Sequence, residues 1–241
     1  MAFGSCASHY KITKIERTRI VVDSTYDKLP NIEAEEFIAA YQAKVDSIMS
    51  PVVGHVAKSM SAVRPEGTLS NLLSDILVEA GSSYGEKPDF GVYNMGGIRA
   101  MLPKGAVTFG NVLNVAPFEN KICFLSLKGA DVTELFRQMA IVGGEGVSRS
   151  VRLVITDDGK LLSATIDGKE IDENRTYRVA TIDYLSEGND RMTAFAKHFD
   201  LVSPKGEAND MRCIISNYFR AQEKMGVVVD ANVEGRIVMK K

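Results

Sequence analysis

The segment Phe90–Arg99 reads FGVYNMGGIR and changes at Asn94 from an apolar pattern to a polar turn. Its first four residues predict a short strand. The two adjacent glycines that follow allow the backbone to approach a ligand closely. An asparagine and an arginine bracket those glycines and offer amide and guanidinium groups to a polar or anionic ligand. Paired glycines are also typical of a plain turn, so this segment alone leaves both interpretations open.

Helical and strand patterns alternate on both sides of this segment without a strict βαβ order, which favours an α+β fold. Apolar residues at three- and four-residue spacing predict helices over 33–49, 69–80, 130–142 and 211–225, and a short turn of helix over 107–115. Apolar runs between turn residues predict strands at 122–127, 151–155, 161–166, 177–182, 227–229 and 236–238. The isoleucines and valines of residues 10–23 predict a further extended segment.

Two other segments combine an aromatic ring with polar side chains. Pro117-Phe118-Glu119-Asn120 places Phe118 outside any apolar periodicity, where its ring can face a planar ligand, although the local pattern alone favours a core phenylalanine. The segment Asp183–Asp190 follows a predicted strand and contains Tyr184. Its last residue has a carboxylate that can accept two hydroxyl hydrogen bonds, the alternative being a solvated loop acid.

The composition excludes several classes of protein. Apolar residues make up 45% of the chain, charged residues 25%, and the net charge is -2, as in an ordinary globular domain. The sequence has no Lys/Arg-rich run, so we expect no nucleic-acid partner. His9, His55 and His198 are isolated from one another, which argues against a metal site in this chain. No apolar stretch approaches the roughly 20 residues of a membrane span.

The N-terminal residues Met1–Cys6 resemble the end of a bacterial lipoprotein signal, in which small residues precede the cysteine that becomes lipidated. The charged and apolar segments that normally come first are missing from this sequence. Two interpretations stay open: Cys6 is lipidated and tethers the protein to a membrane, or it is an incidental cysteine in a short tail. Bacterial lipoproteins have several acyl chains, which a stable tether requires.

Taken together and in this order, the segments Asn94–Arg99, Pro117–Asn120, Lys128–Ala130 and Tyr177–Asp190 resemble the C-terminal domain of the 5′-nucleotidases. The similarity covers roughly residues 50–240. It implies a single domain of mixed sheets and helices over 51–241. A linker helix over 31–50 and an N-terminal tail and strand segment over 1–30 precede this domain.

The resemblance implies a substrate-binding role for residues that match the family motifs. Phe118 and Tyr184 match the two rings that hold the nucleobase between them, and Asp190 matches the acid that binds ribose hydroxyls. Arg99 matches the arginine that contacts ribose and phosphate. The remaining matches are Asn94 and Asn120, which can reach the base, and Arg64, a loose counterpart of an arginine ahead of the following helix.

Three departures from the family affect what is expected. The second ring is a tyrosine, Tyr184, where phenylalanine is common, and it should still stack. The loop that usually reads Gly-Gly-Asp-Gly followed by an aromatic residue is Gly188-Asn189-Asp190-Arg191-Met192 here, which predicts a stiffer loop. The family's metallophosphatase domain, whose two metals activate water, has no counterpart in this sequence. We therefore expect no catalysis by this chain alone and no cofactor in it.

Three functions follow from these expectations. The first is the nucleotide-binding half of a split 5′-nucleotidase, with zinc, manganese or a similar divalent metal supplied by a separate metallophosphatase chain. The second is a stand-alone nucleoside- or nucleotide-binding protein. The third, a scaffold, is disfavoured because both rings, the acid and the arginine are present together. The family resemblance and Cys6 together imply a periplasmic or cell-surface lipoprotein of a bacterium.

Overall fold

The computed structural model describes residues 11–28 and 30–241. The chain divides into two compact units, residues 1–44 and residues 45–241. Helix α1 begins at Ile32 and ends at Met49, with Glu33 and Glu35 in its first turn, so the helix predicted over 33–49 is confirmed. Acidic residues at this end interact favourably with the helix dipole. Cys6, the candidate lipidation site, lies outside the described residues.

Residues 11–23 do not form the strand that their isoleucines and valines predicted. Ile12 and Ile15 are 79% and 82% exposed, and no described strand pairs with this segment. A strand needs a partner for its backbone N–H and C=O groups. These two isoleucines are three positions apart and would lie on opposite faces of a strand, so the segment has no single apolar face to bury.

The second unit contains three sheets and the remaining helices. Its described helices are α2 (Thr68–Ala80), α3 (Phe109–Val115), α4 (Gly129–Ile141), α5 (Asp183–Ser186) and α6 (Met211–Lys224). Its described strands are β1 (Val52–Val56), β2 (Phe90–Tyr93), β3 (Gly105–Thr108), β4 (Ile122–Lys128), β5 (Gly146–Val147), β6 (Val151–Thr156), β7 (Leu161–Ile166), β8 (Lys169–Glu170), β9 (Thr176–Ile182), β10 (Phe199–Val202) and β11 (Ile237–Lys240). The α+β class is confirmed.

A five-stranded sheet with the order β10-β4-β9-β2-β5 forms the centre of this unit. Strand β9 runs parallel to β2 and antiparallel to β4. Both β2 and most of β4 are buried, which explains why their sequences are almost continuously apolar. Helix α2 packs on β2 and β5, and α4 packs on β4. A second sheet has the order β11-β6-β7-β8, and β1 pairs with β3.

Two further predicted elements differ from the structure. The helix predicted over 107–115 is instead the end of β3 followed by α3, because the hydroxyl of Thr108 accepts a hydrogen bond from Asn111 N and caps the helix there. The strand predicted at 227–229 is reduced to one bridge between Val56 and Val229. Among the described helices, none is long and apolar enough to cross a membrane.

The Lys128-Gly129-Ala130 turn shows why a glycine joins β4 to α4. Strand β4 ends at Lys128 and α4 begins at the next residue, so the predicted strand-to-helix turn is confirmed. A Cβ atom added to Gly129 would lie 1.9 Å from the carbonyl oxygen of Asp172. That separation is far inside van der Waals contact, so only glycine fits here without displacing the backbone of the neighbouring loop.

Candidate functional site

The strand directions bring the three sequence segments of interest to one edge of the central sheet. The carboxyl end of β2 leads into Asn94, and the carboxyl end of the parallel strand β9 leads into Asp183 and Tyr184. Strand β4 is antiparallel to β9, and Ile122 pairs with Ile182, so the residues that precede β4 lie at the same edge. Residues that are far apart in sequence therefore meet in one place.

A cavity of about 230 Å³ opens at this edge. Five of the seven residues predicted to bind substrate line it together with Gly96 and Gly97. The five are Asn94, Phe118, Asn120, Tyr184 and Asp190.

The two rings of the cavity are unusually exposed for large aromatic side chains. Phe118 is 48% exposed and Tyr184 is 39% exposed. The interpretation of Phe118 as a core residue, which the local sequence pattern favoured, is therefore wrong. Exposed rings at a cavity wall offer faces on which a planar heterocycle can stack.

Asp190 connects the two sides of the cavity. Its Oδ1 accepts a hydrogen bond from the hydroxyl of Tyr184 at 2.9 Å, and its Oδ2 accepts one from Nδ2 of Asn94 at 2.5 Å. The bond to Asp190 raises the pKa of the Tyr184 hydroxyl. A carboxylate has about four acceptor positions, so two remain for the hydroxyl groups of a ligand.

Asn94 is a nearly buried residue of the cavity wall. The residue is 3% exposed, and its Oδ1 is buried without a hydrogen-bond partner among the described residues. This oxygen faces Gly97, where an added Cβ would lie 2.6 Å from it. The second glycine of the pair is thus required by the side chain of Asn94, and an unsatisfied acceptor lies next to the cavity.

The two predicted arginines do not line the cavity. Arg99 is exposed and its Nη1 donates to the carbonyl oxygen of Gly96 at 3.3 Å, so it lies beside the glycine turn. Arg64 donates from Nε to the carbonyl oxygen of Gly144 at 2.8 Å and forms an ion pair with Glu145. In this conformation Arg64 stabilises the loop that contains Gly144 and Glu145.

Glu145 is a residue that the sequence analysis missed. It is 2% exposed, and one carboxylate oxygen accepts the backbone N–H of Met95 at 2.5 Å while the other pairs with Arg64. Burial raises the pKa of this carboxyl, against the opposing effects of Met95 and Arg64. Glu145 therefore fixes the turn between Asn94 and Gly97 from below. Only its position after two glycines distinguished it in the sequence.

The loop that bears Phe118 is anchored to the start of α6. Nζ of Lys121 forms an ion pair with Oδ1 of Asp210 at 2.8 Å, and the Asp210 side chain is only 3% exposed. The backbone N–H of Met211 also donates to the carbonyl oxygen of Asn120 at 2.9 Å. These contacts keep the loop in place although its ring is exposed.

Residues 52–197 match the family described as 5′-nucleotidase, C-terminal domain. The chain belongs to this family. The match contains every segment that forms the cavity, so the resemblance on which the sequence analysis depended is confirmed. Among the described residues, no three His, Cys, Asp or Glu side chains cluster as a metal site would require.

Two curated relatives and one solved structure are similar to this chain. Endonuclease YhcR of Bacillus subtilis is 31% identical over 164 residues, which are 65% of this chain and 13% of the relative. Protein UshA of Yersinia enterocolitica is 31% identical over 156 residues, which are 62% of this chain and 27% of the relative. A 5′-nucleotidase precursor from Thermus thermophilus superposes with a TM-score of 0.74 at 24% identity, covering 87% of this chain and 43% of that one. This chain thus spans less than a third of either curated relative.

Proposed function

We propose that this chain binds a nucleotide or nucleoside in the cavity between Phe118 and Tyr184, as the substrate-recognition part of a 5′-nucleotidase. One observation carries the proposal: residues from three separate segments, each singled out in the sequence, line one cavity. The base stacks between the exposed rings, and Asp190 accepts hydrogen bonds from the ribose hydroxyls. Arg99 lies beside the glycine turn and is a cation available for the phosphate.

Calorimetry with AMP and adenosine tests this binding. Stacking on an aromatic ring contributes about 1–3 kcal/mol per base, so Phe118→Ala is expected to weaken binding about 5- to 150-fold. Phe199→Ala is a matched control, because Phe199 is also an exposed phenylalanine at 37% and does not line the cavity. The proposal is refuted if the wild-type chain binds neither compound, or if both variants bind equally.

The proposal includes a separate metallophosphatase chain that holds divalent metal ions such as Zn²⁺ or Mn²⁺. Those ions would activate water for attack on the phosphate ester, while this chain orients the nucleotide. The support is the family, because residues 52–197 match the C-terminal domain of the 5′-nucleotidases.

Mixing this chain with a metallophosphatase chain from the same genome, in Mn²⁺ or Zn²⁺, tests the split enzyme. Phosphate release from AMP is expected only in the mixture, and Asp190→Ala in this chain should abolish most of it. A mixture that releases no phosphate from any nucleotide rejects the split enzyme. Binding without hydrolysis would instead support a stand-alone nucleotide-binding protein. The observation that favours this second function is that all residues lining the cavity lie within 94–190 of this one chain.

We also propose that the protein acts outside the cytoplasm, on the periplasmic side or at the cell surface, tethered through Cys6. One relative, 24% identical over 90% of this chain, is named a cell wall protein of Listeria monocytogenes. Cell fractionation, with mass spectrometry of the N-terminal peptide, would detect the acyl chains on Cys6. An unmodified peptide from a soluble fraction contradicts the tether.

A further inference from the structure

The two segments that bear the rings meet at Asp183, the first residue of α5. Strands β4 and β9 pair antiparallel up to Ile122 and Ile182. The next pair in the ladder is Lys121 with Asp183, and the N–H of Asp183 donates to the carbonyl oxygen of Lys121 at 2.9 Å. Lys121 is three residues from Phe118, and Asp183 directly precedes Tyr184, so this pair joins the two ring segments.

In an antiparallel pair the N–H of Lys121 would donate back to the carbonyl oxygen of Asp183. Here a side-chain oxygen takes the place of that carbonyl oxygen. The carbonyl group of Asp183 accepts the hydroxyl of Ser186 at 2.7 Å within α5. The N–H of Lys121 donates instead to Oδ1 of Asp183 at 3.0 Å. The carboxylate therefore extends the pairing of the two strands by one residue beyond the point where β9 turns into helix.

The same carboxylate oxygen also holds Tyr184. Oδ1 of Asp183 accepts the backbone N–H of Tyr184 at 2.9 Å, while the hydroxyl of Tyr184 donates to Asp190. The tyrosine is thus fixed at its backbone by one acid and at the far end of its ring by another. Hydrogen bonds from N–H groups to a carboxylate are stronger than those to neutral acceptors.

From this geometry we propose that Asp183 is a positioning residue that sets the separation of Phe118 and Tyr184, and thereby the affinity for the nucleobase. The proposal rests on the proposed nucleotide-binding function. Asp183 does not line the cavity, so it acts through the two backbones that it holds. A clamp of two rings is effective only at the separation that fits one heterocycle, so loosening either backbone lowers affinity for the base.

Two measurements test the proposal on the full chain. Amide hydrogen exchange by NMR reports on the N–H groups of Lys121 and Tyr184, and calorimetry reports on adenosine. In Asp183→Ala both amides should exchange at least about tenfold faster, and adenosine should bind about tenfold more weakly. Asp183→Asn keeps an oxygen acceptor at Oδ1 and should restore both values to within about threefold of wild type. Asp157→Ala, at an exposed loop acid, serves as the control.

Three results would overturn the positioning role of Asp183. Unchanged exchange at either amide in Asp183→Ala, or faster exchange with unchanged adenosine affinity, overturns the proposal. An Asp183→Asn variant as impaired as the alanine variant also overturns it. If the alanine variant does not fold, Asp183→Glu, which moves the carboxylate by one methylene, replaces it with the same expected changes. If wild type binds no adenosine, the proposed function fails, and the exchange rates alone decide whether Asp183 fixes the two segments.

Discussion

Replacing Arg191 with glycine is expected to stabilise the fold through the backbone of the Asp190 loop. Arg191 has φ 64°, in the left-handed region, where a residue with a Cβ atom costs about 1–2 kcal/mol. Glycine removes that cost. It also gives the unfolded chain more conformational freedom, which destabilises the fold by about 0.4–1 kcal/mol. The expected net gain in the free energy of unfolding is therefore about 0.5–1 kcal/mol, or about 1–4 °C in Tm for a chain of this size.

Urea denaturation of Arg191→Gly and Arg191→Ala separates the backbone from the side chain. Alanine removes the exposed guanidinium group but keeps the Cβ atom, so its stability is expected to stay within about 0.5 kcal/mol of wild type. Gly188→Ala, at φ 86°, is the reverse experiment and should destabilise by about 1 kcal/mol or more. An alanine variant at 191 that gains as much as the glycine variant would refute the backbone explanation.

Two further substitutions test contacts described above. Gly129→Ala places a Cβ atom 1.9 Å from the carbonyl oxygen of Asp172 and should cost about 3 kcal/mol or more in thermal denaturation; Gly206→Ala, whose Cβ would lie 3.4 Å from its nearest neighbour, should be nearly neutral. Glu145 has a raised pKa in the folded state, so its contribution to stability decreases as pH rises above about 4.5, the ordinary value for glutamate. Glu145→Gln should therefore flatten the pH dependence of Tm above that pH, and an unchanged profile would contradict the raised pKa.

The central strands and most helices could be predicted because their signals are local. The apolar run of Ile122–Leu127 and the helical spacing over 211–225 are visible without knowledge of the partners, and the structure places β4 and α6 there. The segment 10–23 has the same residue types, and residues 11–23 of it form no strand. Strand formation depends on a pairing partner, and a single segment of sequence does not reveal one.

The same distinction explains which site residues were found. Phe118, Tyr184 and Asp190 were found because they match motifs of the 5′-nucleotidase C-terminal domain, whereas the local pattern alone favoured a core phenylalanine at 118 and left a solvated acid possible at 190. Glu145 and Asp183 were not singled out, because a carboxylate that bonds a distant backbone N–H looks in the sequence like any surface acid. Their importance depends on strand register, which brings Met95 and Lys121 to them.

The Asp190 loop shows how a departure from the family motif can be compensated. Asp190 and Arg191 both adopt positive φ, at 53° and 64°, so the chain keeps a left-handed turn although its second residue is not glycine. The hydroxyl of Tyr184, present where phenylalanine is common in the family, bonds to Asp190 and helps to hold it in that conformation. The same hydrogen bond therefore links a loop with two left-handed residues to the ring of Tyr184, so a change at either end is expected to affect the other.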